Sequence, residues 1–191
     1  MTNIAVIVGS IREGSYNRAL GELAAASLEA QGASVTRVDL ATFDLPLYSA
    51  ALEADAFPPD ALKLKALLAA QDGLLFVSPE YNGSLPPLLK NAIDWASRPT
   101  GDEGLVALTA YRGKAAAVMS ASISPFGGLR GLMHLRQILS TIQMLVIPEQ
   151  VVVPAAHAAF AEDGSLKEPL PASLVDMTAA RLVAVAKALA V

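Results

Sequence analysis

Ile4–Val8, Leu74–Ser78, Ala115–Ser120 and Met144–Ile147 are short runs that are apolar almost throughout, the mark of strands buried on both faces. Val151–Val153 can extend the last of them, and Ser34–Val38 supplies one more short strand. Between these runs the hydrophobic period lengthens. Ser15–Gln31 places Leu20, Leu23, Ala24, Ser27 and Leu28 at helical spacing, with Gly32 as a C-terminal cap. Asp60 can cap a helix whose apolar face is Leu64, Leu67 and Leu68. Further helices are expected over Pro86–Ser97, with Leu88, Leu89, Ala92, Ile93 and Ala96 on one side, over Gly128–Ile142, and over Ala172–Ala190. Thr42–Pro59, punctuated by Pro46, Pro58 and Pro59, reads as a loop.

Strands that alternate with helices imply a parallel sheet covered on both faces, because parallel neighbours need crossover connections. Right-handed crossovers leave few topologies. The economical one at this length is an α/β, flavodoxin-like three-layer sandwich, a five-stranded parallel sheet in the order 2-1-3-4-5, forming a single domain over residues 1–191. In such sheets ligands bind beyond the carboxyl ends of the strands, where the winding reverses between strands 1 and 3. The loops after Val8, Ser78 and Ser120 therefore carry the candidate chemistry.

Composition narrows the partners. With 53% apolar and 17% charged residues the chain is core-rich, and its net charge of −4 offers no field for a polyanion such as DNA. Cysteine is absent, which removes disulfides, thiolate nucleophiles and Cys-ligated metals. The N-terminal run lacks a basic lead and is too short for a signal peptide, and the apolar stretch from Ala179 onward is broken by Arg181 and Lys187. A cytoplasmic protein with no membrane or nucleic-acid partner is expected.

The first loop, Gly9-Ser10-Ile11-Arg12-Glu13-Gly14-Ser15-Tyr16-Asn17-Arg18, sets hydroxyls, an amide and guanidiniums at a helix N-terminus. That inventory suits a phosphate monoester, with Arg12 giving a charged contact and Ser10, Ser15 and Asn17 further donors. The alternative is that Ser15 caps the helix and the arginines are solvated. The loop lacks the Lys-Ser/Thr of a Walker A sequence and the Gly-x-Gly-x-x-Gly of a dinucleotide fingerprint. The second loop, Ser78 to Pro87, has an ordered exit at Pro79 and a permissive Gly83. It can present main-chain polar groups to the edge of a flat heterocycle, with Tyr81 alongside; the alternative is a plain rigid connection. The third, Ser120 to Arg130, is a Ser/Gly-rich approach to a helix that can meet the far rim of such a ring, or is simply a turn.

Other residues take structural readings. His134 and His157 lack partners at metal-ligand spacing, Trp95 is read as packing or a subunit contact, and Asp39, Asp44 and Glu53 as loop or capping acids. No side chain stands out as a catalytic acid, base or nucleophile, and no metal site is expected.

Gly9-Ser10-x-Arg12-x-x-Ser15-x-Asn17, together with Ser78-Pro79-Glu80-Tyr81-Asn82-Gly83-Ser84-x-Pro86-x-x-Leu89-Lys90-Asn91-Ala92-Ile93-Asp94-Trp95, resembles the NADPH-dependent FMN reductase family, a flavodoxin-like group with quinone, azo-dye and chromate reductases among its members. The resemblance implies that Ser10, Arg12, Ser15, Tyr16 and Asn17 hold the FMN phosphate. It implies that Pro79, Glu80, Tyr81, Asn82 and Gly83 line the isoalloxazine ring, and that Ser120 with Gly127 completes the pocket. It further implies NADPH or NADH as co-substrate, a small-molecule electron acceptor, and a homodimer or homotetramer. The expected activity is hydride transfer from NAD(P)H to bound FMN and onward reduction of a quinone, azo compound, chromate-like oxyanion or free flavin. The alternative is a flavin-binding electron carrier or redox sensor without NAD(P)H turnover.

Overall fold

A computed structural model of the chain describes residues 1–190. The strands are β1 (Asn3–Val8), β2 (Ser34–Asp39), β3 (Gly73–Val77), β4 (Ala115–Ala121) and β5 (Leu145–Val153), all parallel in the order β2-β1-β3-β4-β5. This is the expected topology. The helices are α1 (Tyr16–Ala30), α2 (Ala50–Asp55), α3 (Pro59–Ala69), α4 (Pro87–Ser97), α5 (Leu129–Thr141), α6 (Ala156–Ala159) and α7 (Pro169–Leu189). No helix among the described residues is long and apolar enough to cross a membrane.

Every residue of β3 and β4 is buried, whereas β2 and β5, at the sheet edges, mix buried and exposed positions. Side chains alternate between faces, so each central strand feeds two cores. Ile4, Val6, Leu75, Val77, Ala117 and Met119 meet Leu20, Leu28 and Leu182 of α1 and α7. Ala5, Ile7, Leu74, Phe76, Ala116 and Val118 meet Leu64, Leu89, Ile93, Leu132 and Leu135 of α3, α4 and α5.

Three local readings change. The stretch after β2 is not all loop: a short turn over Leu40–Thr42 is followed by α2, capped where the Ser49 hydroxyl accepts from the Leu52 N–H at 3.3 Å. No residue of α2 is buried, so it has no hydrophobic period to read. Asp60 lies inside the first turn of α3, whose cap is Pro58, and its carboxylate accepts from the Asp44 N–H at 2.8 Å. Helix α7 begins earlier than its apolar face, because Pro169 and Pro171 fit a first turn where a missing N–H costs nothing.

The last strand continues through Val153 across an irregularity: Ala116 pairs with Val146 but Val118 with Gln150, so Ile147, Pro148 and Glu149 stand opposite Ala117 alone. The Ile147 carbonyl freed there accepts from the Arg136 guanidinium at 2.8 Å.

The segment between Leu45 and Phe57 is strapped onto α4. Asn91 receives the Tyr48 N–H at 2.8 Å and donates to the Pro46 carbonyl at 3.0 Å, and Trp95 Nε1 donates to the same carbonyl at 2.7 Å. The Trp95 ring is fully buried, with Tyr48 and Phe57 edge-on at 5.1 and 5.3 Å. Trp95 is therefore a packing residue within one chain.

Candidate functional site

The loops after β1, β3 and β4 converge at the carboxyl edge of the sheet. Beyond Gly9, whose N–H donates to the Val77 carbonyl at 2.8 Å, the main-chain N–H groups of Ser10 through Asn17 have no hydrogen-bond partner among the described residues. Ser15 is the N-cap of α1 by position, yet its hydroxyl makes no capping bond, and that of Ser10 is likewise unpartnered though both residues are buried. The simple capping reading of Ser15 is thereby excluded. Arg12 curls over the same loop, its guanidinium donating to the Glu13 and Gly14 carbonyls, each at 3.2 Å. Unpaired N–H groups, two hydroxyls, a guanidinium and the positive end of α1 form a donor set fitted to a phosphate monoester.

Asn17 behaves differently from a free donor. Its side-chain amide donates to the Ala121 carbonyl at 2.8 Å and accepts the Ala121 N–H at 2.9 Å, so it pairs with the end of β4 as another strand would. What Asn17 can offer an anion is mainly its backbone N–H. Tyr16 stacks on Phe160, with ring centres 5.7 Å apart and planes 18° off parallel.

In the second loop, Tyr81 and Ser84 exchange both main-chain bonds, at 2.8 and 3.0 Å, around Asn82 and Gly83. Both central residues have positive φ, 51° and 80°, which is a type I′ turn and explains Asn-Gly at these two places. Tyr81 is half-exposed beside it. Pro79 and Glu80 precede the turn, but the Glu80 side chain points across to the third loop. It accepts from Arg130 Nε at 2.9 Å and from the Gly131 N–H at 3.1 Å, with a further close contact to Arg130 Nη2. Burial pushes the Glu80 carboxyl up, but Arg130 and the Gly131 N–H outweigh it and hold the group below the usual carboxylate range. Ser84 Oγ lies 3.0 Å from His134 Nδ1, which links the second loop to α5.

The third loop is shaped by Gly127 and Gly128. A Cβ on Gly128 would lie 1.9 Å from Ser120 Oγ, and one on Gly127 would lie 2.4 Å from Val152 Cγ1. The Ser120 hydroxyl is buried against this glycine and has no partner among the described residues. Ser10, Arg12, Ser15, Tyr16, Asn17, Pro79, Glu80, Tyr81, Asn82, Gly83, Ser120 and Gly127 thus lie on or next to the three loops at the carboxyl edge of the sheet, which are tied across by Asn17–Ala121 and Glu80–Arg130. Sequence reasoning passed over Phe160, which stands beyond β5 with no motif around it, and gave Arg130 no role. Only the fold brings Phe160 to the site, whereas Arg130 closes the third loop that the sequence already placed there. Among the described residues no group of three or more His, Asp or Glu could hold a metal ion.

A parallel sheet wound 2-1-3-4-5 with an anion cradle at its switch point defines a flavodoxin-like cofactor-binding protein. Residues 2–158 match the model of the NADPH-dependent FMN reductase family, and the chain belongs to that family. It is 37% identical over 170 residues to an NAD(P)H-dependent FMN reductase of Pseudomonas aeruginosa, covering 88% of this chain and 86% of the relative. It is 40% identical over 151 residues to a 2-hydroxy-1,4-benzoquinone reductase of a Burkholderia species, covering 78% and 77%. Among solved structures it superposes on FerB, a flavoenzyme NAD(P)H:(acceptor) oxidoreductase of Paracoccus denitrificans, with a TM-score of 0.83, 31% identity and 98% of each chain covered. The protein is accordingly an oxidoreductase that uses FMN and draws electrons from NAD(P)H.

Proposed function

We propose that the protein is a quinone reductase, passing electrons from NAD(P)H through FMN to a small planar quinone. The observation that carries this reading is the run of unpartnered N–H groups from Ser10 to Asn17, a donor set that fits the FMN phosphate. Bound FMN supplies hydride acceptance from the nicotinamide and delivery of the electron pair to a second acceptor. Ser10, Arg12, Ser15 and the N–H groups of Tyr16 and Asn17 hold the phosphate. The main chain of Pro79 to Gly83, with half-exposed Tyr81, would line the isoalloxazine ring, and Ser120 and Gly127 would complete the pocket. The Glu80 side chain acts at one remove, fixing the second loop to the third. The names of the Burkholderia and Pseudomonas putida relatives, a 2-hydroxy-1,4-benzoquinone reductase and a quinone reductase, favour a quinone over other acceptors.

A steady-state panel at fixed NADPH tests the choice of acceptor. A benzoquinone should give the highest kcat/KM and parallel-line, ping-pong kinetics against an azo dye, chromate and free FMN. A higher kcat/KM for any of the other three overturns the quinone assignment. Loss of the yellow flavin colour on anaerobic mixing with NADPH is expected, and persistence of colour points to a carrier instead.

A homo-oligomer is part of the same reading, in a cytoplasm that supplies NAD(P)H. The groove of about 670 Å³ between α4 and α5, lined by Leu85, Pro87, Ile138 and Ile142 and carrying Lys90 and Asp94, suits a second copy of the chain. Its apolar floor and its paired opposite charges let the surface complement itself across a two-fold axis. Ile138→Asp should convert the assembly to monomers in light scattering; an unchanged mass places the contact elsewhere.

A further inference from the structure

The third loop carries a feature that the flavin pocket does not use. Phe126 is 57% exposed although its backbone is fixed on both sides: its N–H donates to Ser124 Oγ at 3.2 Å and its carbonyl accepts from the Leu129 N–H at 3.0 Å. The Arg130 guanidinium lies over this ring, 5.1 Å from its centre, with the side chain 57% exposed. Nε and Nη2 of Arg130 are turned to Glu80, while Nη1 has no partner among the described residues. Glu80 does not depend on Arg130 alone, since it also takes the Gly131 N–H in the first turn of α5, where the helix dipole favours a carboxylate. The guanidinium can therefore turn part of its donor edge to an incoming anion without stranding Glu80.

The other arginines and lysines of this edge are committed. Arg12 belongs to the phosphate cradle of the first loop, Arg18 pairs with Asp39, Arg37 with Glu22 and Glu29, and Lys90 with Asp94. An exposed aromatic face beside a guanidinium with a spare N–H is a platform for a flat base that carries a phosphate.

We propose that Phe126 and Arg130 take the adenosine 2′-phosphate end of NADPH, the ring stacking on the adenine and the guanidinium reading the 2′-phosphate. This rests on the reductase reading, and it makes Arg130 the residue that separates NADPH from NADH. Because the phosphate is the only difference between the two donors, the two side chains have separable signatures.

Calorimetric titration of the FMN-loaded protein with adenosine 2′,5′-bisphosphate and with 5′-AMP tests this directly. The bisphosphate should bind the wild-type protein more tightly than 5′-AMP. Arg130→Gln should weaken the bisphosphate on the order of 10- to 100-fold, the loss of a charged hydrogen-bonding partner, and 5′-AMP far less. Arg130→Lys should keep part of the difference. Phe126→Ala should weaken both ligands alike, because both carry the adenine. In turnover, Arg130→Gln should lower the ratio of kcat/KM for NADPH to that for NADH by a similar factor, chiefly through KM. Equal affinity of the wild-type protein for both ligands, or an equal loss of both in Arg130→Gln, overturns the proposal. A wild-type protein that binds the bisphosphate selectively but oxidises neither dinucleotide would instead count against the reductase reading, so the two failures are distinct.

Discussion

Replacing Asn17 by Ala removes the stitch between the first and third loops, and its cost follows from the geometry. Asn17 is 4% exposed and its amide satisfies both the N–H and the carbonyl of Ala121, at 2.9 and 2.8 Å. With Ala in its place both backbone groups stay buried without partners, and each such orphan costs about 1–3 kcal/mol. The gain in helix propensity at the start of α1 returns only a few tenths. A net loss of roughly 2–5 kcal/mol is expected, equivalent to a fall in Tm on the order of 5–15 °C for a chain of this size. Guanidinium titration of the flavin-free protein, at one fixed protein concentration because self-association would shift the midpoint, measures it. The midpoint should fall with little change in slope. Asn17→Asp gives a sharper signature: its carboxylate can still accept the Ala121 N–H but faces the Ala121 carbonyl. That variant should regain stability as acid neutralises the new carboxyl. A loss below about 1 kcal/mol in Asn17→Ala would mean that water replaces the amide and that the stitch is dispensable.

Three further outcomes follow from the same structure. Arg12→Ala should raise the Kd for FMN by about 10- to 100-fold in a fluorescence titration of the apoprotein, the worth of one charged hydrogen-bonding group, and an unchanged Kd refutes the phosphate assignment. Gly128→Ala should yield poorly folded protein with little bound flavin, because the new methyl would meet Ser120 Oγ at 1.9 Å on a backbone with φ of 93°; normal expression and flavin content would show that the loop can move aside. Burial raises the Glu103 carboxyl, but Lys65, Thr109 and the Thr100 N–H more than reverse this, taking it from 4.5 to about 2. A carboxyl depressed on folding stabilises the protein fully above its unfolded pKa and loses that contribution as pH falls through the folded value, so Glu103→Gln should flatten the stability profile between pH 4.5 and about 2. Parallel wild-type and variant profiles in acid denaturation would exclude this.

The order of the sheet was legible because the central strands are apolar on both faces, so Ile4–Val8 and Leu74–Val77 could be nothing else, and because parallel strands restrict the windings. The site loops were legible as well, for glycine, proline and the Asn82-Gly83 pair record backbone shape locally. What escaped was held by contacts remote in sequence. Helix α2 has no buried face and rests on a cap and on the strap's attachment to α4. Asn17 and Glu80 read as ligands because their residue types are good donors or acceptors. Yet their side chains are occupied by Ala121 and by Gly131 with Arg130, partners 104 and about 50 positions away. Spacing along the chain carries no record of such pairings.

The irregularity in β5 also bears on how these molecules meet one another in a crowded solution. A bare sheet margin invites a foreign strand to dock and continue the ladder. Here the outermost strand swells where Ile147, Pro148 and Glu149 face Ala117 alone, and the proline has no N–H to offer a newcomer. Arg136 from the neighbouring helix already occupies the Ile147 carbonyl. That flank is blunted against fibrous growth, and a sequence in which Pro148 gives way to a β-branched residue would lose part of the safeguard without disturbing the chemistry at the sheet's far rim.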